Sequence, residues 1–225
     1  MCGRFIITHP VTALVHMFGA RPGNDLPDAP RYNICPTQPV VVVTAEAGDE
    51  APARRLRAMR WGLLPVWYKT PTDGPLIINA RAETIAVKPS FREAVRTRRC
   101  IVPASGFYEW SAGPDKSRLP WLFTRSDTSP MAFAAVWQRW ERDGLAMDTC
   151  AIVSTAAGPG MAGVHDREPV ILEPGDWPLW LGEAGHGAAA LMRHSPAGTL
   201  ATHRVGVAVN SNRASGSQLI EPLPA

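Results

Sequence analysis

Short apolar runs, rich in β-branched and aromatic side chains and bounded by turn-forming residues, limit this chain to a fold built mainly from short strands. PVVVVT (39–44) lies between Pro and Ala-Gly and predicts a buried strand. LIIN (76–79), CIVPA (100–104), FYEW (107–110), WLFT (121–124), AFAAVW (132–137) and TCAIVS (149–154) have the same character, and GVAVN (206–210) predicts a final strand. The 22 prolines are scattered through the 225 residues, marking turns rather than a linker. Helical signals are few. Val11, Leu14, Val15 and Phe18 follow an i, i+3, i+4, i+7 spacing between Pro10 and Gly19, which predicts an amphipathic helix. Ser90 and Glu93 suggest a capping box opening a short basic helix that ends near Arg98. DWPLWL (176–181) and GAAALM (187–192) predict two short late helices. Six or more strands without regular βαβ alternation predict an α+β fold. It would be a single domain over residues 1–225, with a curved, mostly antiparallel sheet or barrel-like core.

Several classes are excluded at this level. A hydrophobic content of 45% with a net charge of +3 is incompatible with a disordered chain. No run approaches the roughly 18–20 apolar residues of a membrane span. The start, MCGRFIITHP, shows no signal-peptide pattern, so a cytoplasmic, nucleoid-associated protein with reduced cysteines is expected. Cys2, Cys35, Cys100 and Cys150 are widely spaced with no C-x-x-C pair, which argues against a zinc site; no metal or organic cofactor is implied. Cys100 and Cys150 sit in apolar runs and are expected in the core.

Charge is unevenly distributed. Residues 1–110 hold 14 basic and 9 acidic side chains, whereas residues 111–225 hold 9 and 11. A polyanion would prefer a surface built mainly from the first half. The preference for Arg over Lys, 20 against 3, suits phosphate binding but also suits a GC-rich coding bias, given abundant Ala, Gly and Pro.

Chemistry is offered at several positions. Removal of Met1 would leave Cys2 with an α-amine of pKa about 7.7–8.0 beside a thiol of pKa about 8.5, both substantially reactive near neutral pH. Such a pair can condense with an aldehyde to a thiazolidine, or serve an N-terminal nucleophile hydrolase. His165, in a loop after a strand and flanked by Asp166 and Arg167, suits a general acid or base, or a turn cap. Glu109 shares a strand face with Phe107, and a carboxylate in such surroundings is paired, functional or on an exposed sheet face. Asn79 and Arg81 end the LIIN run, where they could enter a pocket or simply close a strand. Trp61, Trp67 and Tyr68, in WGLLPVWYK, could stack on bases or fill the core.

Taken in order, MCGRF (1–5), RYNICPTQ (31–38), MRWGLLPVW (59–67), INARAET (78–84), GFYEW (106–110) and VHDREPVIL (164–172) resemble the SOS-response-associated peptidase family, the abasic-site processing proteins. VNSN and LIEPL (209–223) fit that family's tail. The resemblance implies covalent capture of abasic sites in single-stranded DNA by a protein expected to be monomeric. It implies Cys2 as the crosslinking residue, Asn79 holding that terminus and the sugar, and Glu109 moving protons at the amine and sugar. His165 would be the acid or base of sugar ring opening and Schiff-base chemistry. Arg4, Arg81 and Arg167 would bind phosphates, Asn33, Pro36 and Trp67 would contact or wedge flanking bases, and Ser154 would supply a phosphate hydroxyl where the family often has Thr. Two further departures stand out. Cys35 replaces a small aliphatic residue. Glu168 stands where a second basic residue is often found, which should slightly weaken DNA affinity.

Two other functions fit part of the pattern. A cysteine peptidase or amidohydrolase would use Cys2, Glu109 and His165, including removal of its own N-terminal extension. A noncatalytic single-stranded DNA-binding module would bind in a salt-sensitive way without covalent product. The arginine placement favours the crosslinker over the peptidase, and the binding module leaves Cys2, Glu109 and His165 unexplained.

Overall fold

The computed structural model describes residues 2–23, 25–46 and 53–224. Along the chain the strands are β1 (Phe5–Ile7), β2 (Ala20–Pro22), β3 (Arg31–Ile34), β4 (Pro39–Glu46), β5 (Ala53–Trp61), β6 (Asn79–Arg81), β7 (Arg99–Ala104), β8 (Gly106–Ala112), β9 (Arg118–Arg125), β10 (Met131–Arg142), β11 (Leu145–Ala156), β12 (Arg167–Pro169) and β13 (Leu200–Arg204). Helices α1 (Val11–Phe18), α2 (Ala94–Thr97) and α3 (Trp177–Leu181) are short. The architecture is α+β, as the strand-rich sequence predicts.

The core is a closed barrel. β11, β10, β7, β4 and β5 pair antiparallel in that order, and parallel pairing of β5 with β11 completes the circle at Thr149↔Arg60 and Cys150↔Trp61. Val40, Val41, Val42 and Val43 are all buried, which is why the β4 run lacks polar alternation. Cys100 and Cys150 lie in this core, as expected from their apolar surroundings.

A second sheet, in the order β13-β9-β8-β1-β3, packs against the barrel. The chain passes from β7 to β8 through Ser105 alone, so the sheets are joined at a sharp corner. Phe5, Phe107 and Phe123 occupy the inner face; Phe5 and Phe107 meet Phe133 of the barrel with their rings near perpendicular. Ile6, Tyr108 and Leu122 occupy the outer face, covered by Val205, Val209 and Leu219 from the C-terminal segment. Alternation along β8 therefore points Phe107 inward and Tyr108 outward, and brings Glu109 to the place where the inner face leaves the aromatic core.

Helix α1 follows its sequence signals. Pro10 precedes its first residue, and Gly19 ends it in the left-handed conformation (φ 58°), donating its N–H to the carbonyls of Val15 and His16. Leu14 and Phe18 are its buried face.

The structure departs from the sequence expectation at several elements. GVAVN is a 3₁₀ turn, Val207–Asn210, rather than a strand. Only Val209 is buried, and its carbonyl accepts from the Arg4 guanidinium instead of a ladder partner. No capping box forms at Ser90: residues 84–92 are hydrogen-bonded turns, and α2 starts after Glu93, whose side chain makes no cap bond. In LIIN only Asn79 is in a strand, while Ile77 makes an isolated bridge to Leu63. The GAAALM segment tightens to a 3₁₀ turn, Ala188–Leu191. β10 and β11 each run to twelve residues, beyond their apolar cores, because Asp143 and Gly144 both adopt positive φ and form a tight hairpin turn.

Candidate functional site

Four residues far apart in sequence meet where the two sheets part. Cys2 precedes β1, whose Phe5 pairs with Phe107 on one side and Ile34 on the other, and the Tyr108 N–H donates to the Arg4 carbonyl. That pairing draws the N-terminal segment into the molecule, and Cys2 is fully buried. Asn79 opens β6, a strand held parallel to β11 in the register Ile152↔Asn79. Its Nδ2 donates to the Cys2 carbonyl oxygen at 2.9 Å. Its Oδ1 is also buried but accepts no hydrogen bond among the described residues.

Glu109 is 3% exposed and stands close enough to Cys2 for the two to interact electrostatically. Burial first, and the Glu109 charge second, push the Cys2 thiol well above its ordinary value. In the chain that still carries Met1, the buried thiol is thereby biased toward its protonated form.

His165 presents Nε2 at 4.0 Å from Glu109 Oε2. On its other side Nδ1 accepts the Arg167 backbone N–H at 2.9 Å. Asp166 Oδ1 is 3.0 Å from the same Nδ1 but is largely exposed.

A cleft of about 960 Å³ opens over these groups, lined near Cys2 by Gly3, Arg4, Pro36, Ile78, Glu109 and His165. Arg4 donates to Asn33 Oδ1 at 2.8 Å and to the Val209 carbonyl at 2.9 Å. Asn33 is held internally, its Nδ2 donating to the carbonyls of Ser211 and Ala214. Arg81 is exposed on β6. Arg167 makes a two-pronged ion pair with Glu83 at 2.7 and 3.0 Å, and the guanidinium holds the Glu83 carboxyl below its usual range. Arg167 also donates to the carbonyl and hydroxyl of Ser154, a residue with no exposed surface. Trp67 is half exposed in the loop after β5 and is absent from the cleft lining, so the structure does not bring it to the other site residues.

Glu168 differs from expectation. Its carboxylate is buried and accepts backbone N–H bonds from Gly158 and Ser195, so it faces the interior rather than a ligand. Cys35 is buried as well, with its thiol toward the carbonyls of Asn33 and Asn212.

Trp110, Asn210, Lys116 and Arg118 also line the cleft and were not singled out from sequence. The Arg118 and Arg4 guanidinium carbons lie 4.8 and 5.7 Å from the Trp110 ring centroid. Glu83 was likewise missed, although it sits two residues from Arg81 within INARAET. No group of three or more potential metal ligands occurs among the described residues, and no helix among them is long and apolar enough to cross a membrane.

Fold and cleft define a strand-barrel protein in which Cys2 is buried behind the cleft wall. A crystal structure of a protein from Bacteroides thetaiotaomicron shares this fold, with a TM-score of 0.85 at 22% identity, covering 99% of this chain and all of that one. The sequence pattern of the SOS response associated peptidase (SRAP) family matches residues 1–212, and the chain belongs to that family. Among similar proteins, abasic site processing protein YoqW of Bacillus subtilis is 32% identical over 228 residues, covering 98% of this chain and 99% of its own length. Abasic site processing protein YedK of Escherichia coli is 30% identical over 231 residues, covering 99% and 100%.

Proposed function

We propose that this protein processes abasic sites in single-stranded DNA by capturing the ring-opened sugar covalently at Cys2, once Met1 has been removed. An abasic nucleotide carries a latent aldehyde and no base, so recognition requires a sugar pocket and backbone contacts rather than base-edge reading. The observation that carries the reading is the Asn79 bond to the Cys2 carbonyl, which fixes residue 2 beside Glu109 and His165.

The chemistry follows from that placement. The Cys2 amine attacks C1′ of the aldehyde and forms a carbinolamine. Loss of one water gives an imine, with His165 Nε2–H donating a proton toward departing oxygen and Glu109 relaying protons from the amine. The thiol then adds to C1′ while its proton passes by way of Glu109 to the imine nitrogen, and a five-membered thiazolidine closes. Because the thiol is held protonated, the amine acts first and sulfur follows only after the imine exists. Ring closure is intramolecular, which gives it a large advantage in effective concentration. The second covalent bond removes the imine that would otherwise promote β-elimination of the strand.

The buried Asn79 Oδ1 suits an acceptor for the new α-amine or a sugar hydroxyl. Arg4, Arg81 and Arg167 supply phosphate contacts, the last after exchanging Glu83 for the DNA. Pro36, in the cleft lining, would meet a flanking base. A hydrolase using the Cys2 thiol as its nucleophile is less well supported, because burial and Glu109 disfavour the thiolate such a mechanism needs.

The test is a denaturing gel of the Met1-processed protein mixed with an oligonucleotide bearing one abasic site, without borohydride. A heat-stable shifted band from wild type and none from Cys2→Ala is expected. Cleavage of the strand with no retained protein would point instead to a lyase that stops at the imine.

A further inference from the structure

Resting on the capture reading, we infer that the hairpin joining β8 to β9 is a second nucleic-acid subsite, with Arg118 and Lys116 taking the phosphate of a nucleotide that flanks the captured one. The cleft of about 960 Å³ stands at the upper end of sizes that enclose whole ligands. A base-less sugar at the Cys2 end leaves most of that space open. The open part is walled by Trp110, Lys116, Arg118 and Asn210.

This wall is organised rather than loose. Trp110 Nε1 donates to Asn210 Oδ1 at 2.6 Å, and Asn210 Nδ2 reaches back to the Arg118 carbonyl at 3.4 Å. The indole, fixed in this way, carries the Arg118 guanidinium 4.8 Å from its centroid. A guanidinium parked on an aromatic ring keeps its N–H edges available and loses less freedom on binding an anion. Arg4 also borders Trp110, at 5.7 Å, so one line of positive charge runs from the Cys2 end to the hairpin.

Charge pairing separates these residues from other arginines. Arg54, Arg55, Arg57, Arg125 and Arg139 each face a carboxylate within 4.0 Å. Among the described residues, neither Lys116 nor Arg118 has such a partner, and both are exposed. Asp115 is the acidic residue of the turn and is exposed beside them. Two cations next to an aromatic ring, in a cleft continuous with a sugar pocket, fit a phosphodiester followed by a base. The subsite lies in the half of the sequence with a negative balance, where charge counting gives no reason to look.

The test measures binding of a fluorescent single-stranded oligonucleotide without a lesion, alongside capture rates for abasic oligonucleotides carrying none, one or three nucleotides on each flank. For Arg118→Ala and Lys116→Ala, lesion-free binding should weaken about three- to tenfold, and the slope of log K against log salt should fall by about 0.7 for each lost contact. The gain in capture rate that wild type obtains from one flank should shrink correspondingly. Arg139→Ala, in a paired arginine away from the cleft, serves as the control and should bind as wild type. Wild-type affinity and salt slope in both hairpin variants would overturn the subsite, as would equal binding of a polyglutamate peptide. If wild type captures no lesion but the hairpin variants still lose affinity, the capture reading fails while the subsite stands.

Discussion

Asn79 donates from Nδ2 to the carbonyl oxygen of Cys2 at 2.9 Å, joining the first strand segment to a strand that begins 77 residues later. The bond fixes the backbone of Cys2, the residue proposed to react, while the Asn79 Oδ1 is buried with no hydrogen-bond partner among the described residues. Asn79→Ala should therefore slow single-turnover capture about 100-fold, the order expected when a reacting group is misplaced by about 1 Å. The stability cost should be only about 1 kcal/mol for the lost hydrogen bond. Rates from quenched time points and a urea melt separate the two effects.

Glu83 neutralises Arg167 through two hydrogen bonds. Any phosphate that Arg167 binds must compete with that carboxylate. Glu83→Gln should raise affinity for single-stranded DNA at low salt, by about threefold, and steepen the salt slope by about 0.7. Anisotropy titrations at several salt concentrations check this; an unchanged slope would mean that Arg167 keeps to the protein when DNA binds.

Glu168 is fixed by the backbone N–H groups of Gly158 and Ser195 and has almost no exposed surface. Glu168→Ala would leave two buried donors without an acceptor and should cost about 2–4 kcal/mol. Thermal and urea unfolding measure the loss. Because these bonds tether the segment preceding His165, limited proteolysis should also cut between residues 157 and 164 sooner than in wild type.

Much of this arrangement is legible in the sequence, and the exceptions have physical causes. The β-branched runs at 39–44 and 100–104 became barrel strands because their apolar density left no other place for them. GVAVN has the same look but lies outside the barrel, where a single buried valine and an arginine partner for its carbonyl are enough to favour a 3₁₀ turn. The burial of Glu109 beside apolar neighbours follows from its strand position next to Phe107. The Glu83–Arg167 pair and the Trp110–Arg118 contact depend on which strands adjoin, information absent from spacing along the chain. Glu168 misled for the opposite reason: beside Arg167 in sequence, its side chain points to the other side of β12.

Buried thiols give the fold an alkaline weakness. Burial pushes the Cys150 thiol up to about 12 and raises those of Cys2 and Cys100 as well. An unfolded thiol loses its proton near pH 8.5, so above that pH the folded chain holds more protons than the unfolded one and stability falls as pH rises. Each thiol contributes a slope of about 1.4 kcal/mol per pH unit until its folded pKa is passed. Cys150→Ala should lower stability at neutral pH through its cavity, yet flatten the decline between about pH 9 and 11.5 by that amount. Urea midpoints across this range are the measurement.

The most direct test of covalent capture is the mass of the N-terminal peptide after the protein–DNA product is digested with protease and nuclease. Capture at Cys2 predicts a peptide beginning at Cys2 whose mass equals the sum of peptide and sugar fragment less one water, formed without reductant. Cys2→Ser should yield an adduct only when borohydride reduces the imine, and that adduct is two hydrogens heavier than peptide plus sugar fragment less one water. An unmodified N-terminal peptide, from protein already shown to begin at Cys2, or an adduct carried by a lysine, would contradict the account.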